Sequence, residues 1–293
     1  MKKLALASAL VLAATAAQAY QFEVQGQVEH IDNTVNDQDY SGSVQGTYYF
    51  KDVDATKGPL AEAAFLNQAS NVSAAYSFGQ YQEPGFKANV QTAGIQGEAY
   101  VTTEYVPVPV YASANYSHTT IDGKNGATDD KGERYGVELG AVVIPNFLVA
   151  VGYTNVAAHT SFDAFTVANQ GVAKAGFETS VNGDDQDAWT ARTKYVGAID
   201  GTAMSIGFGT DVLFADYKAY GANVDLFVNN QLSIGTSYAE TRGAANSNPK
   251  VWGVNANYFI TPAIAVGANY VNANAVGDVN DTETVALNAK FRF

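Results

Sequence analysis

The chain has 293 residues, of which 47% are hydrophobic, 12% aromatic and only 15% charged, where an average soluble domain carries roughly 25% charged side chains. It contains no cysteine, which excludes disulfide scaffolds, thiolate metal sites, iron–sulfur clusters and cysteine nucleophiles. A formal charge of −13 argues against a nucleic-acid partner, since that role needs a basic face to displace counterions.

Lys2 and Lys3, the apolar run from Leu4 to Ala14, and Ala17-Gln18-Ala19 make up the three parts of a secretory signal peptide. Residues 1–19 are therefore expected to be removed, leaving 20–293 as one domain. The apolar run is well short of the ~20 residues that a spanning helix needs. The longest later candidate, Gly140 to Tyr153, is interrupted by Pro145-Asn146.

From Tyr20 onward the sequence alternates. Tyr20, Phe22, Val24, Gly26 and Val28 share one parity, and Gln21, Glu23, Gln25, Gln27 and Glu29 the other; a period of two marks a strand with one apolar and one polar face. The pattern returns around Ile95 to Tyr105, Trp252 to Ile260 and Val285 to Phe293. Short connectors, such as Pro145-Asn146, Asn229-Asn230 and Thr261-Pro262, alternate with longer polar ones, such as Asp32 to Asp39, Asp122 to Gly132 and His159 to Gln186. This punctuation predicts strands over 20–31, 40–51, 70–81, 94–105, 109–121, 133–144, 147–158, 187–198, 202–213, 215–228, 231–242, 249–260, 263–275 and 282–293. The stretch 51–69 is the least regular, and Gly58 to Leu66 within it reads either as a short helical element or as the start of a long third strand.

Fourteen strands about 4.8 Å apart and tilted roughly 40° close at a radius of about 14 Å, whereas about eight is the number whose interior side chains can fill. An apolar interior of that width has nothing to pack against, so the polar parity should line the inside and the apolar parity should meet hydrocarbon. The expected fold is an all-β transmembrane antiparallel β-barrel of about 14 strands, with short periplasmic turns and long extracellular loops. Aromatic residues at predicted strand ends, Tyr48, Phe50, Tyr105, Tyr111, Phe147, Phe259, Phe291 and Phe293, suit the headgroup level. Phe293, after Ala289 and Phe291, resembles the C-terminal signal that the outer-membrane barrel-assembly machinery recognises.

Two segments, Gly58-Pro59-Leu60-Ala61-Glu62-Ala63-Ala64-Phe65-Leu66 with the following Asn71-Val72-Ser73, and the closing Asn288-Ala289-Lys290-Phe291-Arg292-Phe293, resemble a small porin family of Gram-negative outer membranes that includes proteins linked to carbapenem susceptibility. The resemblance covers essentially the whole mature chain. It implies a monomer-sized channel for water and small solutes, with adhesion or host contact as an added role, and it brings no catalytic residues.

Candidates for chemistry are few. His30, His118 and His159 are too sparse to form a metal cluster. Ser117 and His118 are adjacent on a strand and so face opposite ways, which prevents a serine–histidine pair. Asp129-Asp130 and Asp184-Asp185 with Asp187 fit no EF-hand spacing and read as solvated loop charge. Neither an enzyme nor a cofactor site is expected.

Mechanism should lie in the lumen, where charge on the polar parity sets the field. The pore-lining candidates are Glu23, Glu98, Glu104, Glu138 and Asp225 against Arg134, Arg192, Lys194, Lys290 and Arg292. Both signs are present, which suits either weak ion selectivity or pairs that brace the wall. The longest loop carries Phe162, Phe165 and Phe177, unfavourable in free solution, so it is expected to fold into the barrel mouth and constrict it. The leading function is passive diffusion of water and small hydrophilic solutes through a monomeric barrel in the bacterial outer membrane. The alternative is a surface adhesin binding host proteins through its loops, and the acidic loops suit cation bridges to lipopolysaccharide.

Overall fold

The computed structural model describes residues 19–33, 36–83, 85–157, 161–170, 174, 186–215, 218–242, 249–274 and 281–293. The expected signal segment up to Gln18, together with His159, Phe177, Asp184 and Asp185, lies outside them. Fourteen strands run in chain order: β1 (Ala19–Asn33), β2 (Asn36–Asp54), β3 (Asn71–Glu83), β4 (Phe86–Val101), β5 (Val110–Lys124), β6 (Asp130–Ile144), β7 (Phe147–Ala157), β8 (Gln186–Ala198), β9 (Ser205–Phe214), β10 (Lys218–Phe227), β11 (Leu232–Arg242), β12 (Lys250–Thr261), β13 (Ile264–Asn274) and β14 (Thr282–Arg292). Each is antiparallel to its sequence neighbours, and β1 pairs with β14, from Glu23 opposite Arg292 to Asn33 opposite Thr282. Closure leaves no unpaired edge, the condition for carrying a sheet through hydrocarbon.

The two parities separate as alternation requires. Val28, Ile95, Leu139, Val151, Ile234 and Leu287 are exposed on the outer surface, while Glu23, Gln27, Ser73, Thr92, Ser117 and Thr119 are buried on the inner one. Leu139 sits opposite Val151 across the β6–β7 ladder, both among the most exposed of the outward side chains at 64% and 58%. Replacing Leu139 with Arg is expected to cost about 2–4 kcal/mol, the penalty for a cation on the lipid face near mid-bilayer, read as a lower denaturant midpoint for folding into bilayers. A change within error would place Leu139 away from lipid.

Several local expectations need correction. The fourth strand begins eight residues before 94, because Glu83 pairs with Phe86; at its other end it stops at Val101, which leaves Glu104 exposed in a connection. Asp32 to Asp39 is mostly strand, with Asn33 opposite Asn36. Two connections on the mouth opposite the termini are thus tight hairpins, and residues 55–70 at the terminus mouth form an insertion instead of a short turn. A register shift between Tyr20 and Phe22 turns Tyr20 inward, so it leaves the parity of Phe22 and Val24 and lies 3% exposed. Tyr111 and Phe259, expected at the headgroup level, also sit on inward positions and are buried. Outer aromatic contacts include Phe22 with Tyr48 and Phe293, and Phe147 with Tyr195 and Phe208.

The turn after β6 follows its sequence. Pro145 fixes the entry and Asn146 takes a positive φ of 61°, a region asparagine tolerates, so Ile144 meets Phe147 directly.

Candidate functional site

Two chain segments enter the lumen, one from each mouth. At the terminus mouth, Leu60–Glu62 form a 3-10 turn that runs into the short helix α1 (Ala63–Leu66), the helical option of the two left open for this stretch. Its apolar residues are spread to different walls. Leu60 packs with Phe259 and Ala265, Ala63 with Tyr20 and Tyr49, and Phe65 with Tyr111, Leu148, Val196 and Phe227. Polar ties fix the same segment: Leu60 N–H donates to Asn230 O at 2.8 Å, Arg292 Nη1 donates to Leu60 O at 2.8 Å, and Lys194 Nζ lies 2.7 Å from Glu62 Oε2 and over the Phe65 ring. A hydrophobic segment bound to strands all round the barrel fills much of that mouth.

From the opposite mouth the long β7–β8 connection turns inward as helix α2 (Ala164–Gln170). Asp163 starts it, its carboxylate accepting from Phe165 N–H at 2.8 Å and from Asn115 Nδ2 at 3.2 Å. Phe162 N–H donates to Thr119 Oγ1 and Ala164 N–H to Ser117 Oγ, at 3.0 and 3.1 Å. Gln25 Nε2 donates to Ala168 O and Asn169 Oδ1, at 3.0 and 2.7 Å, and Asn169 Nδ2 donates to Gln45 Oε1 at 2.8 Å. All these wall partners lie on the polar parity, so the helix is inside the barrel, held against β1 to β5, while Phe165 is buried with Ala75, Ala164 and Ala168. Phe162 is half-buried at the entry to the helix. Phe177 falls outside the described residues.

The lumenal charges lie mostly in pairs. Glu23 accepts from Arg292 Nε at 2.7 Å and lies 2.9 Å from Lys290 Nζ; the Arg292 guanidinium is also sandwiched between the rings of Tyr20 and Phe259. Arg192 Nε donates to Glu138 Oε2 at 2.8 Å, reaching over β7 where Ala150 and Gly152 are small, and its Nη2 donates to Tyr111 Oη at 2.7 Å. Tyr111 in turn donates to Glu98 at 2.7 Å, which also accepts from Asn71 Nδ2. Asp225 accepts from Asn223 Nδ2 at 3.1 Å. Arg134 lines the cavity beside α2, whereas Glu104 stands outside the strands.

Sequence alternation did not single out Glu62, Tyr111, Asp163, Gln25 or Asn169 as site residues. Asp163 carried a usable signal, an aspartate two residues ahead of an apolar 165/168 spacing, as at a helix start. Tyr111 carried one as well, since it shares the polar parity of Ser113, Asn115 and Ser117.

The described residues enclose, among the open space of the lumen, cavities of about 390 and 620 Å3 that share Asn169, Gln170 and Lys174 as a boundary. Ser117 Oγ is occupied by α2, and His118 points the other way with Nδ1 3.7 Å from Glu133; the two do not meet.

A family model described as "Putative general bacterial porin" matches residues 1–293. The crystal structure of the Acinetobacter baumannii outer membrane protein Omp33 is 48% identical, with 95% of this chain and all of that chain covered and a TM-score of 0.70. A Pseudomonas aeruginosa FadL homologue and the CymD monoaromatic hydrocarbon channel share the fold at 10% identity, with TM-scores of 0.53 and 0.57; coverage is 93% of this chain and 90% of that one for the first, and 94% and 89% for the second. No curated protein matches. The chain therefore belongs to the general bacterial porin family, a non-enzymatic class of outer-membrane β-barrels.

Proposed function

We propose that this porin-family barrel passes water and small hydrophilic solutes by passive diffusion, as a monomer, after removal of residues 1–19 on export. The observation that carries this is the inner wall: a closed barrel presents hydroxyls, amides and charges inward around residual cavities, and its polar parity has no structural use in a filled core. Both termini lie on the periplasmic side in this reading, which puts the α2 loop at the cell surface. Paired charges on the wall, Glu23 with Lys290 and Arg292, and Glu138 with Arg192, lower the net field and suit weak ion selectivity. Segments narrowing the lumen from both mouths set a small size limit. The C-terminal strand, where Phe293 N–H bonds to Phe22 O at 2.9 Å, is the segment offered to the assembly machinery, and lipid and lipopolysaccharide surround the barrel.

Liposomes carrying the refolded mature protein should swell in graded neutral sugars and amino acids with a sharp size cutoff. No swelling from protein shown to be folded would sink the diffusion reading and move function to surface loops that bind host proteins.

A further inference from the structure

One half of the inner wall has a different make-up from the rest. Along β1 to β8 the inward positions carry most of the charges and hydroxyls already described, with Lys290 and Arg292 of β14 completing the pair with Glu23. Midway along β10 to β14, glycines at 235 and 267 stand between short amide or acid side chains. Gly235 faces Asp225 on β10 and Asn255 on β12, and Gly267 faces Asn257 on β12 and Asn288 on β14. A Cβ at Gly235 would collide with the Asp225 carboxylate and stand 2.5 Å from Asn255 Nδ2; one at Gly267 would collide with the Asn257 amide and stand 2.8 Å from Asn288 Oδ1. The polar side chains thus lie sideways over the neighbouring glycines, flat against the wall.

Laid down in this way, the amides join edge to edge. Asn257 Nδ2 donates to Asn255 Oδ1 at 3.2 Å, Asn288 Nδ2 donates to Asn269 Oδ1 at 3.3 Å, and Asn269 Nδ2 donates to Gln27 Oε1 at 3.0 Å. A primary amide has two donors and two acceptor lone pairs, and these contacts use only part of that capacity. The Gln27 nitrogen is further taken by Glu29 Oε1 and Val167 O, and all five of these amides line the 390 Å3 cavity.

We propose that this amide wall is a weak binding surface for uncharged polyhydroxyl solutes. A hydroxyl donates and accepts at once, so vicinal hydroxyls can meet both edges of a carboxamide. An ammonium group only donates and a carboxylate only accepts, so each engages half of the amides' capacity while losing hydration that the amides restore only in part. The proposal rests on the channel reading for its physiological use, but binding itself does not require conduction.

The test uses full-length mature protein in detergent, with saturation-transfer NMR to D-xylose, and with L-lysine and L-glutamate as charged probes. The paired variant Asn255→Leu with Asn288→Leu keeps side-chain size and removes the hydrogen bonds; heat-dependent gel mobility confirms that it folds. Xylose should show saturation on the unsubstituted protein and bind about tenfold more weakly to the variant, the loss expected for two neutral hydrogen bonds. Equal xylose saturation in both proteins, none in either, or stronger saturation of the charged probes would overturn the proposal. Potassium chloride conductance in planar bilayers is recorded alongside. Its absence in folded unsubstituted protein counts against the channel, while the xylose result still decides the wall.

Discussion

Removing residues 162–180 should raise single-channel conductance about two- to threefold. A barrel of this strand number leaves a bore of roughly 8 Å radius once side chains are allowed for, and a helix with its side chains is about 10–12 Å across, so α2 takes up close to half of the cross-section at its level. The anchors that hold it there are hydrogen bonds to the wall, from Thr119 and Ser117 at its start to Gln25 and Gln45 at its end, and none of these wall residues is needed for strand pairing. The barrel should therefore fold without the loop. Single-channel recording in 1 M potassium chloride is the measurement. An unchanged conductance would take the loop out of the pore and place the limiting resistance at the Leu60–Leu66 insertion.

Arg292→Ala should have the largest effect on stability. The Arg292 side chain is 2% exposed and Glu23 is 8% exposed, so the substitution leaves a buried carboxylate with only Lys290 opposite it. Breaking a buried pair from one side costs about 3–5 kcal/mol, and the Lys290 contact at 2.9 Å puts the expected loss near the lower end. The same guanidinium holds Leu60 O, so the insertion at the terminus mouth loses an anchor and conductance should rise as stability falls. Arg292→Lys keeps the charge and loses the fork; its stability should lie between the other two. Denaturant titration of folding into liposomes reads the first effect, and bilayer recording the second. An alanine variant as stable as the unsubstituted protein would mean that Arg292 does not brace the barrel.

Barrel closure, strand number and the inward polar face were legible from alternation because a period of two assigns each residue a side without knowledge of its neighbours. The long loop's inward fold was legible from Phe162 and Phe165, apolar groups in a segment with no strand to join. Other features depend on partners distant in sequence. Tyr20 reads as outward until the shift beside Phe22 reverses it, whereas Tyr111 shares the inward parity of Ser113 and Asn115 and reads as a girdle residue only by its place at a strand end. Pairing such as Lys194 with Glu62 needs the insertion in place, and residues 58–66 alone did not distinguish a helix from a strand. Pro84-Gly85 was a turn signal in plain view, but the alternation on either side of it was weaker than around Ile95.

The placement of α2 against β1 to β5 has a geometric result. An obstacle attached to one side of a round pipe leaves a crescent, not a smaller circle, and the free space then bends round α2 from β6–β8 to β9–β14, where the two cavities lie. A crescent admits thin molecules more readily than compact ones of equal mass, so a flat ring should pass ahead of a branched, near-spherical isomer, and sieving by this barrel should follow molecular thickness more closely than molecular weight.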